Sequence, residues 1–190
     1  MFQTETPMKN KDLFLKKFDE ISSSTTSIQC NFAQKKQLSF SKEPLTSKGV
    51  MYYQDQNLRW EQSSPKEYLM IISDDQIKIK ENGEIREHSL EESKYMIGIK
   101  EIMVGSITGT LVNSTDFETT FFEDESYWII KLIPKFKKMK KLFSEITMKF
   151  DRTSYRMKKV FLMESSGDFT EIEFTNPIFN QKLNAALFKL

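Results

Sequence analysis

The residues that could do acid, base or nucleophilic chemistry are few in this chain. His88 is the single histidine and Cys30 the single cysteine among 190 residues. A Ser-His-Asp or Cys-His arrangement needs a histidine beside the nucleophile and a third group that orients it. His88 lies among charged residues of a predicted strand, and the segment GSITG (residues 105–109) has the wrong spacing for a nucleophile elbow. We therefore predict that the chain is not an enzyme and has no catalytic residues.

Metal and cofactor sites leave no trace in the sequence either. Zinc sites use clusters of Cys and His, and calcium loops carry a glycine among spaced carboxylates. The acidic run EDE (residues 123–125) falls in a predicted hairpin turn without that glycine. Phosphate-loop and dinucleotide-binding glycine patterns are absent. We expect no metal and no cofactor.

The charge balance argues against nucleic acid as a partner. The chain has 28 basic and 27 acidic residues, a formal net charge of +1, so it lacks a long-range attraction to a polyanion. One local basic run, KFKKMKK (residues 135–141), could contact a phosphate surface or an acidic partner. Such runs are more often solvated connectors, and that is the interpretation preferred here.

The composition is unusual in its large apolar side chains. Phenylalanine occurs 16 times and methionine 10 times, while charged residues make up 29% of the chain. Methionine is flexible and polarizable, which suits a ligand of variable shape. The same residue types also fill ordinary cores. Composition alone leaves both uses open.

Two amphipathic helices are predicted to position this apolar surface. In KNKDLFLKKFDEIS (residues 9–22) Phe14, Phe18 and Ile21 recur at i, i+4 and i+7, with charged residues on the other faces. The second helix is predicted from Ser89, which forms a capping box with Glu92, to near Gly105. Its apolar stripe consists of Tyr95, Met96, Ile99, Ile102 and Met103.

The rest of the chain has the alternation of β-strands. Leu58 and Trp60 fall on one side of a predicted strand and Arg59 and Glu61 on the other. In QIKIKENGEIREH (residues 76–88) the pair Asn82-Gly83 is typical of a two-residue hairpin turn. Counting all such segments gives roughly ten antiparallel strands, divided by the second helix. We predict a mainly β (α+β) fold in which a long sheet curls and helices cover its concave face.

The chain is expected to form one domain over residues 1–190, with about the first ten residues flexible. No apolar run approaches the roughly 20 residues that span a bilayer. The N-terminus lacks the apolar core of a signal peptide, and one cysteine excludes an intramolecular disulfide framework. These features fit a cytosolic protein or the mature form of a periplasmic one.

Several motifs follow one another in order along the chain. In the first half, between residues 32 and 79, they are Phe32, Gln34, Gly49, Leu58 to Glu61, Pro65 and Tyr68 to Ile72. In the second half they are the segment IKEIMVGSITG (residues 99–109) and a closing hairpin pattern G-x-x-T-x-I-x-F at Gly167, Thr170, Ile172 and Phe174, followed by Asn176. In this order they resemble the LolA family of periplasmic outer-membrane lipoprotein carriers, and IKEIMVGSITG resembles the family's middle helix.

The resemblance implies a strongly curved, incomplete β-barrel whose helices form a lid over a hydrophobic cavity for acyl chains. Acyl chains of lipoproteins or another lipid-like ligand would be the cargo, with an inner-membrane release complex and an outer-membrane acceptor as partners. The protein would be a periplasmic monomer. By alignment Gln54 stands where well-studied members have an arginine that holds the lid closed. The implied lid residues are Phe14, Phe18, Ile21, Met96, Ile99 and Met103, and the implied wall residues are Phe32, Leu58, Trp60, Ile77 and Ile79.

Two other functions fit the same pattern. The fold could serve as a sensor or a binding module for a different lipid-like ligand, without shuttling lipoproteins. A hydrolase of lipid-like substrates would also use an apolar cavity, but it would depend on His88. Uptake of a fluorescent fatty acid or a triacylated peptide separates a carrier from the first alternative, and a His88→Ala variant tests the second.

Overall fold

The computed structural model describes residues 4–73, 76–89, 102, 104–105, 108 and 110–190. Within these ranges the chain is mostly strand. Its elements are β1 (Thr6–Pro7), α1 (Lys11–Ser23), β2 (Ser27–Gln37), β3 (Leu45–Gln54), β4 (Asn57–Ser64), β5 (Tyr68–Ile72), β6 (Gln76–Glu81), β7 (Glu84–Ser89), a 3₁₀ helix (Thr110–Asn113), β8 (Phe117–Glu123), β9 (Tyr127–Pro134), a one-turn helix (Lys137–Lys140), β10 (Phe143–Asp151), β11 (Met157–Glu164), β12 (Phe169–Phe179) and a second 3₁₀ helix (Ala185–Phe188).

The twelve strands form one antiparallel sheet. Their order is β1-β8-β9-β10-β11-β12-β2-β3-β4-β5-β6-β7. Among the described strands, β12 with β2 and β1 with β8 are the neighbouring pairs that are not consecutive in the chain. β1 and β7 are the two edges, which means that the sheet does not close into a barrel. This confirms the predicted fold class. The roughly ten strands of the sequence prediction become twelve, because β1 is only two residues long and leaves no periodic signal.

The inner face of the sheet holds the core. Ile28, Cys30 and Phe32 of β2 are buried, as their alternation predicts, while Gln29 and Asn31 are not. The same alternation places Leu58 and Trp60 of β4 inside. β9 and β10 supply the opposite part of the core through Trp128, Ile130, Leu132, Ile146, Met148 and Phe150.

The first helix is confirmed over Lys11–Ser23. It ends where three hydroxyls turn back onto its last carbonyls: Ser23 Oγ donates to Asp19 O at 2.7 Å, and Ser24 Oγ and Thr25 Oγ1 both donate to Ile21 O. Hydroxyl groups that bond the backbone in this way compete with the helical ladder and favour its termination.

Most of the predicted second helix lies outside the described residues, including Met96, Ile99 and Met103. Residues 102, 104 and 105, which the prediction included, are helical, and so is residue 108. Thr108 Oγ1 donates to Val104 O at 3.0 Å across one helical turn. Ile102 and Val104 are buried in the same core as the sheet.

Candidate functional site

The site begins with the apolar stripe of α1. Phe14 and Phe18 are 1% and 5% exposed, and their rings stack with centroids 5.5 Å apart. Phe14 also contacts Trp128 of β9, and Phe18 contacts Phe150 of β10 with centroids 5.0 Å apart. The two predicted lid residues are therefore packed on the β9–β10 half of the inner face.

The turn between β10 and β11 adds Tyr155 to this aromatic cluster. Asp151 Oδ1 accepts hydrogen bonds from the backbone N–H groups of Thr153 and Ser154, which fixes the turn and lowers the pKa of the Asp151 carboxyl. Tyr155 adopts a φ of 56°, a left-handed conformation that is costly for an aromatic residue and persists only where tertiary contacts hold it. Its ring lies 6.0 Å from that of Phe14.

Arg156, next in this turn, ties the C-terminal end of α1 to the sheet. Its Nη1 donates to Thr25 Oγ1 at 2.5 Å, and its guanidinium lies 3.9 Å from the ring centroid of Phe179. Burial lowers the pKa of Arg156 from its ordinary value. Thr25 in turn donates to Ile21 O, so one arginine connects the lid helix, β11 and β12.

The wall residues of β2 and β4 form a second aromatic cluster. The rings of Phe32 and Trp60 stack with centroids 3.6 Å apart, and Phe174 of β12 meets Trp60 edge-on. Gly49 of β3 lies opposite Phe32, and a β-carbon there would stand 2.7 Å from Phe32 Cζ. Glycine at this position therefore lets the Phe32 ring lie flat on the sheet.

The other predicted wall residues are buried to different degrees. Leu58 and Ile77 are completely inaccessible to solvent. Ile79 is only half-buried and packs against the edge of the core. Ile21, predicted for the lid, is also half-buried.

A cavity of about 50 Å³ lies between α1 and the inner face of the sheet. Of the predicted residues, Phe18 and Ile21 line it, whereas Phe32, Leu58, Trp60, Ile77 and Ile79 do not. Cys30 also lines it and is 3% exposed, and burial raises the pKa of its thiol to about 12. The remaining lining residues are Ser22, Ile28, Met51, Phe150, Tyr155, Arg156, Met157, Phe174, Pro177 and Phe179.

Sequence reasoning did not assign the β10–β11 turn or the end of β12 to the site. Periodicity identified the buried face of α1, but it says nothing about which strands that face will meet. The segment DRTSYRM (residues 151–157) could have indicated this part of the site, because Tyr155 and Arg156 follow its turn-forming residues. An arginine beside an apolar strand in a turn is a candidate for a partly buried hydrogen-bond donor.

Gln54 and Arg59 face away from the lid. Gln54 Oε1 accepts a hydrogen bond from the N–H of Leu183 at 2.7 Å. Arg59 Nη1 donates to Leu187 O at 2.9 Å, and its Nη2 lies 2.8 Å from Glu61 Oε2. These residues attach the C-terminal segment to the outer face of the sheet, so the position aligned with the family's lid-closing arginine has a different structural role here.

The two side chains considered for acid, base or nucleophilic chemistry, His88 and Cys30, lie on different strands. His88 is exposed on the edge strand β7, and Cys30 is buried across the sheet on β2. Among the described residues no group of three or more Cys, His, Asp or Glu side chains is placed to hold a metal ion. No helix within the described ranges is long and apolar enough to cross a membrane.

Solved structures are similar to this chain at low sequence identity, and those with a TM-score above 0.5 share its fold. An uncharacterised conserved protein from Thermus thermophilus superposes with a TM-score of 0.56 at 8% identity, covering 96% of this chain and 94% of the other. Mycobacterium tuberculosis lipoprotein LppX gives 0.51 at 9% identity, with 93% and 99% covered. A LolA superfamily protein from Nitrosomonas europaea gives 0.48 at 11% identity, with 94% and 97% covered.

Sequence comparison gives a more specific result. No curated protein sequence matches the chain. The profile of the family described as "Outer membrane lipoprotein carrier protein LolA" matches residues 23–190, from the end of α1 to the last residue. This range includes the whole sheet from β2 onward and every wall residue described above. The chain belongs to the LolA family.

Proposed function

We propose that this protein carries the acyl chains of lipoproteins in the apolar space between α1 and the inner face of the sheet. One observation carries the proposal: a helix with an apolar stripe covers an apolar wall, and among the described residues that line the cavity between them Arg156 is the one charged side chain. Most of the described lining is apolar, and its one thiol, Cys30, is buried with a raised pKa, so the space suits a ligand that is held by burial. We propose residues 1–190 as one carrier domain with no catalytic activity.

The cavity is too small for an acyl chain while α1 is docked. Sites for ligands of that size have volumes of about 300–1,000 Å³, against about 50 Å³ here. We therefore propose that loading moves α1 away from the sheet. The contacts that would break are those of Phe14 and Phe18 with β9 and β10 and the hydrogen bond from Arg156 to Thr25.

The energies favour this exchange. Exposing two buried phenylalanines costs about 3–6 kcal/mol, because each contributes about 1.5–3 kcal/mol by burial. An acyl chain with roughly 14 methylenes gains about 11 kcal/mol when it leaves water, at about 0.8 kcal/mol per methylene. A ligand shifts the equilibrium between docked and undocked α1 only by this difference in affinity. The cargo can therefore displace the lid, and the lid can contribute to its release.

The wider role proposed is that of a periplasmic monomer in lipoprotein transport. It would receive lipoproteins from an inner-membrane release complex and pass them to an outer-membrane acceptor. The family assignment supports this route. The lid arginine of well-studied members is replaced here by Gln54, which binds the C-terminal segment, so we propose that Arg156 closes the lid instead.

The proposal is tested by direct binding. Delipidated protein is mixed with a triacylated lipopeptide and, separately, with a fluorescent fatty acid, and the stoichiometry is measured. We expect saturable binding of the lipopeptide. Ile21→Glu places a charge in the lining of the cavity and should weaken binding at least about tenfold, because an unpaired charge is costly in an apolar site.

Lys16→Glu is the matched control, since Lys16 is exposed on another face of the same helix. Its affinity should stay close to that of the wild type. If the protein bound the fatty acid but not the lipopeptide, it would be a binding module or sensor for another lipid-like ligand. Binding of neither ligand would disprove the carrier function.

A further inference from the structure

Three loops between strands and the short segment that precedes β8 form a surface at one end of the sheet. We call this surface the lysine rim. It consists of residues 38–44 between β2 and β3, residues 135–142 between β9 and β10, residues 165–168 between β11 and β12, and residues 114–116 before β8. Strand register places them together, since Gln37 pairs with Phe169, Phe143 with Glu164, and Phe117 with Pro134.

Hydrogen bonds connect these segments to one another. Ser39 N donates to Asp168 Oδ1 at 2.9 Å, and this bond lowers the pKa of the Asp168 carboxyl. Ser165 N donates to Leu142 O at 3.1 Å. Lys135 N donates to Asp116 O at 2.9 Å. The rim is therefore a continuous surface rather than a set of independent loops.

Two phenylalanines project from this surface. Phe40 is 85% exposed and Phe136 is 60% exposed. Within the same connection as Phe136, Met139 and Leu142 turn inward and pack against the core. The one-turn helix thus has an anchored apolar side and an exposed side that carries lysines. Exposed phenylalanines flanked by basic residues are typical of surfaces that enter the interface of a bilayer.

The charge of the rim is strongly positive. Its segments contain six lysines, at 42, 135, 137, 138, 140 and 141, against Glu43, Asp116 and Asp168, a net charge of +3. The whole chain has a net charge of only +1. Lys42, Lys137, Lys140 and Lys141 are exposed, and none of the ion pairs found among the described residues involves them.

We propose that the lysine rim docks on an anionic lipid bilayer. The lysines are attracted to acidic head groups, and Phe40 and Phe136 insert between them. Either feature alone would be weak, since reversible membrane binding needs an electrostatic and an apolar contribution together. An acidic protein surface would use the lysines, but it would leave the exposure of Phe40 and Phe136 unexplained.

The position of the rim on the fold adds a consequence. The cavity under α1 is lined by the start of β2, the end of β10 and the end of β12. The rim is formed by the opposite ends of these strands. A protein docked through the rim would therefore keep its lid helix away from the bilayer surface and free to move. This docking surface is separate from the proposed cargo site and does not depend on it.

The test is co-sedimentation of the purified protein with vesicles of phosphatidylcholine containing 30% phosphatidylglycerol, and with pure phosphatidylcholine vesicles. We expect binding to the anionic vesicles only, weakened by added salt. Lys137→Glu/Lys140→Glu/Lys141→Glu should lower the partition coefficient at least about tenfold. Phe40→Ser/Phe136→Ser should lower it as well while keeping the dependence on anionic lipid. Circular dichroism melts confirm that each variant is folded.

Two matched control variants carry the same kinds of substitution at positions outside the lysine rim. Lys9→Glu/Lys16→Glu/Lys189→Glu alters three exposed lysines outside the rim, and Leu13→Ser/Ile85→Ser removes two exposed apolar side chains. Both should bind like the wild type. Equal losses in rim and control variants, or no binding of the wild type to anionic vesicles, would overturn the proposal. Retention on immobilised polyglutamate without vesicle binding would assign the rim to an acidic protein partner instead.

Discussion

Gly49 lies where the inner face of the sheet has no room for a β-carbon. An added β-carbon would stand 1.9 Å from Glu61 O and 2.7 Å from Phe32 Cζ. The nearest atom belongs to the backbone of β4, which cannot rotate away as a side chain can. The pairing of β3 with β4 is also irregular between Lys48 and Gly49, so the local register is already adjusted to this close approach.

We predict that Gly49→Ala destabilises the protein by about 1–3 kcal/mol, the cost of overpacking a filled core. The stack of Phe32 on Trp60 should be disturbed as well, and the tryptophan fluorescence should change. Urea denaturation measures the free energy of unfolding. Thr46→Ala, at an exposed position of β3, is the control and should leave it nearly unchanged. An unchanged midpoint for Gly49→Ala would mean that β3 and β4 are less tightly paired.

The sequence predicted which side chains of β2 and β4 face inward, but it did not predict how these side chains pack against one another. The alternation in β2 and β4 predicts which side chains face inward, because a strand has a strict period of two. It does not predict that Phe32 and Trp60 will stack, since that depends on the pairing of β2, β3 and β4 and on the gap at Gly49. Nor does the type of a single residue reveal that Cys30 will line the cavity under the lid.

Cys30 provides a chemical probe of that cavity. The thiolate is the reactive form of a cysteine, and burial raises the pKa of Cys30 to about 12. We predict that labelling by a small neutral disulfide reagent is slow at pH 7 and rises about tenfold per pH unit up to pH 10. In urea the same thiol should reach its plateau above about pH 8.5. A plateau near pH 8.5 in the folded protein would show that the thiol is not buried.

At the scale of elements, the lid helix is held by few groups. Its N-terminal half packs through Phe14 on Trp128 and Phe150, and its C-terminal end is tied by Arg156 to Thr25. Helical periodicity predicted which face of α1 is buried. It did not predict that this face packs against β9, β10 and the β10–β11 turn. These lie more than 100 residues away in sequence, where no local pattern reaches.

We predict that Arg156→Ala loosens α1 without unfolding the sheet. Removing the guanidinium breaks its bond to Thr25 and its contact with Phe179, so the undocked state of α1 becomes more populated. At pH 8 the labelling of Cys30 should become several-fold faster. Arg86→Ala, at an exposed arginine of β7, is the matched control and should not change the rate. Equal rates in the wild type and Arg156→Ala would exclude Arg156 as the group that closes the lid.

At the scale of the whole molecule, an open sheet must protect its edges. β1 is only two residues long and covers part of β8, and β7 is the other edge of the sheet that the described residues form. Edge strands of this kind are templates for pairing with another chain unless charges or bulges prevent it. β7 carries Glu84, Arg86 and Glu87, and Lys78 of β6 pairs with Glu87 at 3.0 Å. The sequence alone predicted the hairpin of β6 and β7, but not that β7 would end the sheet, because strand order is a property of the whole fold.

We predict that the charges of β7 keep the protein monomeric. In Glu84→Val/Arg86→Val/Glu87→Val the edge becomes apolar and β-branched, so two molecules can pair β7 with β7 and continue the sheet. Size-exclusion chromatography over a range of concentrations should show dimers or larger assemblies. The control Lys35→Val/Lys48→Val/Glu171→Val adds the same three side chains to β2, β3 and β12, whose backbone groups are paired on both sides. If the control associates as strongly as the β7 variant, the cause is general surface hydrophobicity, and the edge strand has no special part in keeping the molecules apart.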